Sequence, residues 1–231
     1  MIDKTCVLEE IRTQFRDGLT IMAGGFGVPG TPFTLINALL ETRVSHLTLV
    51  KNEANEDHMG LSRLIEAGRA KKLITSHLGL NATVIGMMNR GEIEVEFYPQ
   101  GILAEKIRAG GAGLIGILTD IGIDTILAET KEIISVNGNR AVIEPALRAD
   151  VALIHAAVAD PFGNLVYEKS ARNFNPAMAT AAGTVIVETE RLVDSGELDP
   201  ESVHTPGGFV DHVVLLDEIT EEYGVLEHHV L

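Results

Sequence analysis

Asp17-Gly18-Leu19-Thr20-Ile21-Met22-Ala23-Gly24-Gly25-Phe26-Gly27-Val28-Pro29-Gly30-Thr31-Pro32 reads as a turn, a short buried strand, a glycine-rich loop and a helix start. Glycines open backbone conformations closed to other residues and let a ligand approach backbone N–H groups closely. Thr31 suits an N-cap and Pro32 the first helical position. The positive end of that helix would then aim at the loop and favour an anion there. Gly25-Phe26-Gly27-Val28-Pro29-Gly30 also spells G-x-G-x-x-G, with Glu53 about 20 residues on, where a ribose-binding acid would sit. Two details oppose a dinucleotide site. The helix-start signals follow the third glycine instead of preceding it, and Glu53 lies in a polar run, Lys51-Asn52-Glu53-Ala54-Asn55-Glu56-Asp57, where an acid is more often solvated.

Around this loop the chain alternates apolar strands with helical segments, the pattern of a parallel sheet. Strands are expected at Thr20–Ala23, Leu47–Val50, Lys72–Thr75, Glu94–Tyr98, Val151–Ala157 and Thr184–Glu188. Helices are expected at Pro32–Glu41, Gly60–Ala67, Thr83–Arg90, Ile102–Ala109 and Pro176–Ala182. Lys131–Pro145 departs from the alternation: two β-rich runs flank Asn137-Gly138, a strong hairpin signal. A second tight connection, Asp160-Pro161-Phe162-Gly163-Asn164, joins two further strand-like runs. The expected fold is α/β: an open, mostly parallel sheet with helices on both faces and one antiparallel hairpin excursion. No repeat or flexible linker divides residues 1–231, so one domain is expected.

The 231 residues suffice for a sizeable core, which aliphatic residues must fill because aromatics are 4% and tryptophan is absent. A formal net charge of −15 argues against nucleic acid and anionic membranes, which require a basic footprint. No apolar run reaches the roughly 18 residues of a spanning helix, and Met1-Ile2-Asp3-Lys4-Thr5 lacks the character of a secretion signal. A cytoplasmic protein is expected. Cys6 is the single cysteine and has no disulfide partner in the chain. His58 and His77 stand alone, and the tail histidines His228 and His229 read as solvated; no metal site is expected.

Three further segments are candidates for chemistry. Tyr98-Pro99-Gln100-Gly101 ends a strand and opens a helix, where α/β sheets place ligands. Gln100 there is either an oxyanion donor or a solvated residue in an ordinary turn. Arg108-Ala109-Gly110-Gly111-Ala112-Gly113 is either a helix C-cap or a place of close backbone packing against a ligand or partner chain. In Ser170-Ala171-Arg172-Asn173-Phe174-Asn175-Pro176, Asn175 and Pro176 repeat the cap-then-proline device, and Arg172 is either an anion fork or half of an ion pair.

Taken together these segments resemble the A (alpha) subunit of family I coenzyme A transferases. The resemblance rests on Asp17 to Pro32, Val95 to Gly101, Ala104 to Gly113, Leu147-Arg148-Ala149-Asp150, Gly163-Asn164-Leu165, Ala171 to Pro176, Gly196-Glu197-Leu198-Asp199-Pro200 and His204-Thr205-Pro206-Gly207. It covers nearly the whole chain in order, apart from about the last dozen residues.

The resemblance implies ping-pong transfer of CoA between a short-chain acyl-CoA or 3-oxoacyl-CoA and a free carboxylate, through a glutamyl-CoA thioester. It places the nucleophilic glutamate in a Ser-Glu-Asn-Gly segment of a partner B subunit, which this chain lacks. The implied assembly is a heterodimer or heterotetramer, with CoA as substrate and no permanently bound cofactor. For this chain it implies a CoA or substrate site from Gly24, Gly25, Phe26, Gly27, Val28, Pro29 and Gly30, with Asn52, Glu53 and Gly101 beside it. It implies an oxyanion role for the Gln100 backbone N–H. It sets Gly110, Gly111 and Gly113 at a subunit junction near the same cleft. Where 3-oxoacid members carry Asn-Asn or Asn-Asp, this chain has Asn52-Glu53; Glu53 either alters acid preference or is solvated. Two other readings of the glycine loop are a sugar-phosphate isomerase or ligand-binding protein of related open α/β fold, and a dinucleotide-binding oxidoreductase.

Overall fold

The computed structural model describes residues 2–79, 81–220 and 222; the histidine-containing tail discussed above lies outside them. Strand β1 (Thr20–Ala23) holds the middle of the main sheet. On one side follow β2 (Leu47–Val50), β3 (Ala70–Thr75) and β4 (Glu94–Phe97), all parallel. On the other side stand β8 (Ala149–Ala159), β10 (Ala182–Leu192) and β11 (His212–Leu215), also parallel. Short β9 (Leu165–Val166) folds back antiparallel onto β8 through the Asp160–Asn164 connection.

The central strands β1, β2 and β8 are largely apolar on both faces because both are covered. Side-chain alternation separates two cores. Ile21 and Leu49 face a layer made by α1 (Leu8–Arg12), α2 (Phe33–Glu41), α3 (Leu61–Glu66) and α4 (Ala82–Asn89), through Ile11, Leu35, Leu39, Leu64 and Val84. Met22 and Val50, each one residue on, face α5 (Gln100–Gly111) and α6 (Asn175–Thr180), through Leu103, Ile107 and Met178. The expected helices on both faces are therefore present.

The excursion is larger than a hairpin. Strands β6 (Ile133–Val136) and β7 (Asn139–Pro145) meet at Asn137-Gly138, whose φ values of 52° and 81° suit a tight two-residue turn. A third strand, β5 (Gly116–Thr119), joins β7 and makes a separate antiparallel sheet. Its Gly116-Ile117-Leu118-Thr119 is too short and too unpatterned to announce itself. Leu118, Ile133, Val136 and Ile143 of this sheet are exposed. Among the described residues no helix is long and apolar enough to cross a membrane.

Candidate functional site

All of the main parallel strands present their carboxyl ends at one edge. Strand order departs in both directions from β1, with helices on opposite faces, so the crevice at that edge opens where β1 ends. The glycine loop begins there. Its backbone is held from several sides. Gly24 N–H donates to Leu153 O (2.9 Å) and Gly25 N–H to Asn173 Oδ1 (3.2 Å). Asn173 Nδ2 returns to Pro29 O (2.9 Å), and Asn175 Nδ2 donates to Gly30 O (3.0 Å). A Cβ on Gly24 would stand 1.8 Å from Asn175 Oδ1, which explains why this position needs glycine. Gly25 takes φ 98° against Thr31 and has no room for a side chain either.

Gly27 is different. A Cβ there would meet nothing within 4 Å, while its backbone is fully engaged. Its N–H donates to Glu53 Oε1 (3.0 Å), and its carbonyl accepts from Thr31 Oγ1 (2.6 Å) and Asn55 Nδ2 (2.8 Å). The open face of the loop is thus at Gly27, next to the half-exposed Phe26. Val28 packs inward against Phe33 and Met59.

Glu53 is not solvated; it is 6% exposed. Besides the Gly27 N–H it accepts Lys51 Nζ and Asn52 Nδ2 (2.8 Å). Lys51 is fully buried, and burial lowers its pKa against the opposing pull of Glu53. Asn52 extends the contact sideways: its carbonyl accepts from Thr75 Oγ1 (2.9 Å) and from the Ser76 hydroxyl (2.8 Å) and N–H (3.0 Å). Tyr98 N–H then donates to Thr75 O (3.0 Å). A continuous series of contacts therefore runs from the glycine loop across the ends of β2, β3 and β4 to Pro99-Gln100-Gly101.

Gln100 opens α5, with Pro99 before it, and both Gln100 and Gly101 are exposed. No side chain among the described residues caps this end, which leaves first-turn N–H groups of a twelve-residue helix to meet an incoming oxygen. Beside it, Tyr98 donates its hydroxyl to Glu96, and burial with the Glu96 charge pushes its phenol pKa up. The phenol stays protonated at neutral pH.

The α2 end behaves otherwise than its sequence suggests. Helix α2 starts at Phe33 with Pro32, whose side chain cannot cap it, at the cap position, while the Thr31 hydroxyl donates back to Gly27 O. The buried Glu188 of β10 does so from across the fold, accepting Leu35 N–H (2.9 Å). Its other oxygen meets His155 Nδ1 (2.9 Å), while His155 Nε2 meets Glu190 (2.9 Å). Desolvation opposes charge on His155, but the two carboxylates outweigh it and raise its pKa to about 9. The anion at this helix end is the protein's own.

Two further expectations are corrected. Asn175 is not an N-cap; it is the first residue of α6, and its side chain holds Gly30, Ala171 and His155 N–H instead. Gly110, Gly111 and Gly113 do not share the crevice of Gly24–Gly30. They lie at the far end of α5, where Cβ atoms on Gly110 and Gly111 would strike Leu147 O (2.2 Å) and Thr180 Oγ1 (2.0 Å), just before β8 and β10 begin. That is the amino edge of the sheet. Arg172 is exposed, and its loop acts through Asn173 and Asn175. His58 pairs with Glu66 (2.8 Å) at the surface. Sequence reading missed Lys51, Asn55, Asn173 and Glu188. Asn55 adopts φ 62°, which asparagine tolerates better than most residues, so its place in a polar run was a usable signal.

A coenzyme A transferase family profile matches residues 6–216. The chain belongs to the coenzyme A transferase family. It is 52% identical over 200 residues to a probable coenzyme A transferase subunit alpha of Bacillus subtilis, covering 86% of this chain and 87% of that one. It is 45% identical over 218 residues to the acetate CoA-transferase subunit alpha of Escherichia coli, covering 94% and 99%. Its fold matches that of an acyl-CoA transferase of E. coli O157:H7 solved as a thioester complex with CoA, with TM-score 0.84 at 22% identity. The match covers 94% of this chain and 48% of that one, so this chain spans about half of that structure's length. Membership decides against the sugar-phosphate and dinucleotide readings. The geometry agrees: Glu188 occupies the α2 end a pyrophosphate would need, and Glu53 is spent on the loop itself.

Proposed function

We propose that this chain is the A subunit of a heteromeric CoA-transferase, acting in the cytoplasm as a single domain beside a B subunit. The pair moves CoA between a short-chain acyl-CoA or 3-oxoacyl-CoA and a free carboxylate. A glutamate of the partner attacks the thioester carbonyl and expels CoA thiolate, giving a mixed anhydride. The thiolate attacks the anhydride at the glutamyl carbonyl, releasing the first acid and leaving glutamyl-CoA; a second acid reverses the sequence. The names of relatives support this, being alpha or A subunits of acetate, succinyl-CoA:3-ketoacid and 3-oxoadipate transferases.

The observation that carries the reading is the pairing, at one sheet edge, of an open glycine-loop face at Gly27 with the uncapped first turn of α5 at Gln100. CoA lies along the loop from Gly24 to Gly30, and the Gln100 N–H steadies the oxyanion of each tetrahedral intermediate, with Gly101 and Asn52 alongside. Losing one such donor costs about 3 kcal/mol in the barrier. Glu53 is a poor nucleophile here, because both its oxygens already accept hydrogen bonds. The test is borohydride or hydroxylamine trapping with acetoacetyl-CoA, followed by mass analysis of each chain. The chain alone should show no turnover, and with a B subunit the trapped glutamate should lie on B. A trapped glutamate on this chain overturns the division of labour.

A further inference from the structure

The helix that Gln100 opens carries a buried lysine. Lys106 is six residues into α5, about 9 Å along its axis. Helical side chains lean towards the N-terminus, so this one runs back beneath the first turn. A lysine on a helix ordinarily carries its ammonium out to water. Lys106 does not: its side chain is 5% exposed. Its Nζ lies 4.3 Å from the centre of the Tyr98 ring and 3.1 Å from Glu144 Oε2 on β7. Glu144 is as deeply buried, and its other oxygen accepts Lys131 Nζ, which itself stands 5.5 Å from the same ring.

These groups line a cavity of about 520 Å³ between the end of the parallel sheet and the small antiparallel sheet. Two further acids line this space: Glu96, which accepts the Tyr98 hydroxyl and pairs with Lys72 (2.6 Å), and Glu132. An apolar side chain would fill the place of Lys106 without the desolvation cost of a buried ammonium. What the ammonium adds is direction. It binds the ring just before Pro99-Gln100 on one side and an acid of the second sheet on the other, so the first turn of α5 is held from both.

We infer that Lys106 is a positioning residue for the Gln100 N–H, fixing the start of α5 against Tyr98 and Glu144. This rests on the oxyanion role proposed above. The Tyr98 ring is its partner through a desolvated cation–π contact, and Glu144 neutralises it. Lys106 touches no substrate; its effect is on the aim of a donor whose value depends on geometry within fractions of an ångström.

The experiment uses the enzyme assembled with its B subunit and measures glutamyl-CoA formation from acetoacetyl-CoA in a single half-reaction, per titrated active site. Lys106→Met should slow that step about tenfold with KM for acetoacetyl-CoA within twofold of wild type. Tyr98→Leu, which removes the ring, should do the same, and Lys106→Arg should recover most of the rate. Lys71→Met, at an exposed position of β3, serves as a charge-removal control outside the contact and should keep the wild-type rate. Amide hydrogen exchange across residues 103–105 of the full chain, whose N–H groups bond back to the carbonyls at the start of α5, should quicken in Lys106→Met and return in Lys106→Arg, which reads the positioning even if turnover is lost with assembly. Wild-type half-reaction rates in Lys106→Met and Tyr98→Leu, or unchanged exchange at 103–105, overturn the inference. A wild-type enzyme that forms no glutamyl-CoA overturns the proposed function and this inference with it.

Discussion

Glu53→Gln removes a charge and keeps the shape. The amide can still accept the Gly27 N–H, so the loop is not simply cut free. What changes is Lys51, whose side chain is fully buried and whose ion pair is with Glu53. Removing one partner of a buried pair costs about 3–5 kcal/mol, because the other charge is left without compensation. That is a large share of a domain's typical stability of about 5–15 kcal/mol. The sign of the pH dependence distinguishes this cause from lost packing. Burial already lowers the Lys51 pKa, and without Glu53 it falls further below the unfolded value. The unfolded chain then binds more protons than the folded one, so stability rises with pH. The gap between variant and wild type should therefore narrow from pH 7 towards pH 10 as Lys51 discharges. Adding Lys51→Met to Glu53→Gln removes the stranded charge and should recover at least about 2 kcal/mol, a coupling typical of contacting residues. Urea unfolding of the full chain followed by circular dichroism, at several pH values, reads all three. A loss below about 1 kcal/mol in Glu53→Gln, or a gap that widens with pH, would refute the reasoning.

Gly24→Ala drives a methyl into Asn175 and breaks its bonds to His155 N–H, Gly30 O and Ala171 O; at about 1 kcal/mol each the loss is about 3 kcal/mol in urea unfolding. Gly27→Ala meets open space and costs only about 1–2 kcal/mol for its left-handed backbone. It should nevertheless cut CoA-transferase turnover more than tenfold in the assembled enzyme, and full turnover would remove the loop's open face from the binding site. Gln100→Ala should leave turnover within a few-fold, whereas Gln100→Pro, lacking the N–H, should lower it by two orders of magnitude or more while the chain still assembles. His155 is held protonated in the fold up to about 9, against about 6.5 unfolded. Its contribution is complete below pH 6.5 and is lost as pH rises through 9, so the wild-type urea midpoint should fall across that window and fall less in His155→Gln.

Much of the architecture was legible from local pattern. Strand cores at Thr20–Ala23 and Leu47–Val50 match residue for residue, because three apolar residues and a threonine between polar turns leave little choice of face. The Asn137-Gly138 turn was legible because few dipeptides accept two positive φ values. The glycine loop and the Pro99-Gln100-Gly101 elbow were legible as places where strands end and helices begin. Short β5 and the five-residue α1 were not, because neither is long enough to show a period and both exist through tertiary contacts.

By itself the sequence determined the alternation of strands and helices, the sheet's buried faces and the family. Those follow from periodicity and from glycine and proline chemistry, which act over a few residues. The tertiary structure decided who serves the site. Asn175 reads as a cap, yet it became a clamp because β1 and α6 bring Gly30 and His155 to its amide. Thr31 reads as the cap of α2, yet Glu188 occupies that end from 153 residues away. Glu53 reads as solvated, yet it is buried on Lys51 and Gly27. Gly110–Gly113 read as part of the cleft, yet a twelve-residue helix carries them across to the opposite edge. In the first three cases an unsatisfied backbone donor or a buried charge took the partner that folding brought within reach, and residue order carries no record of that distance.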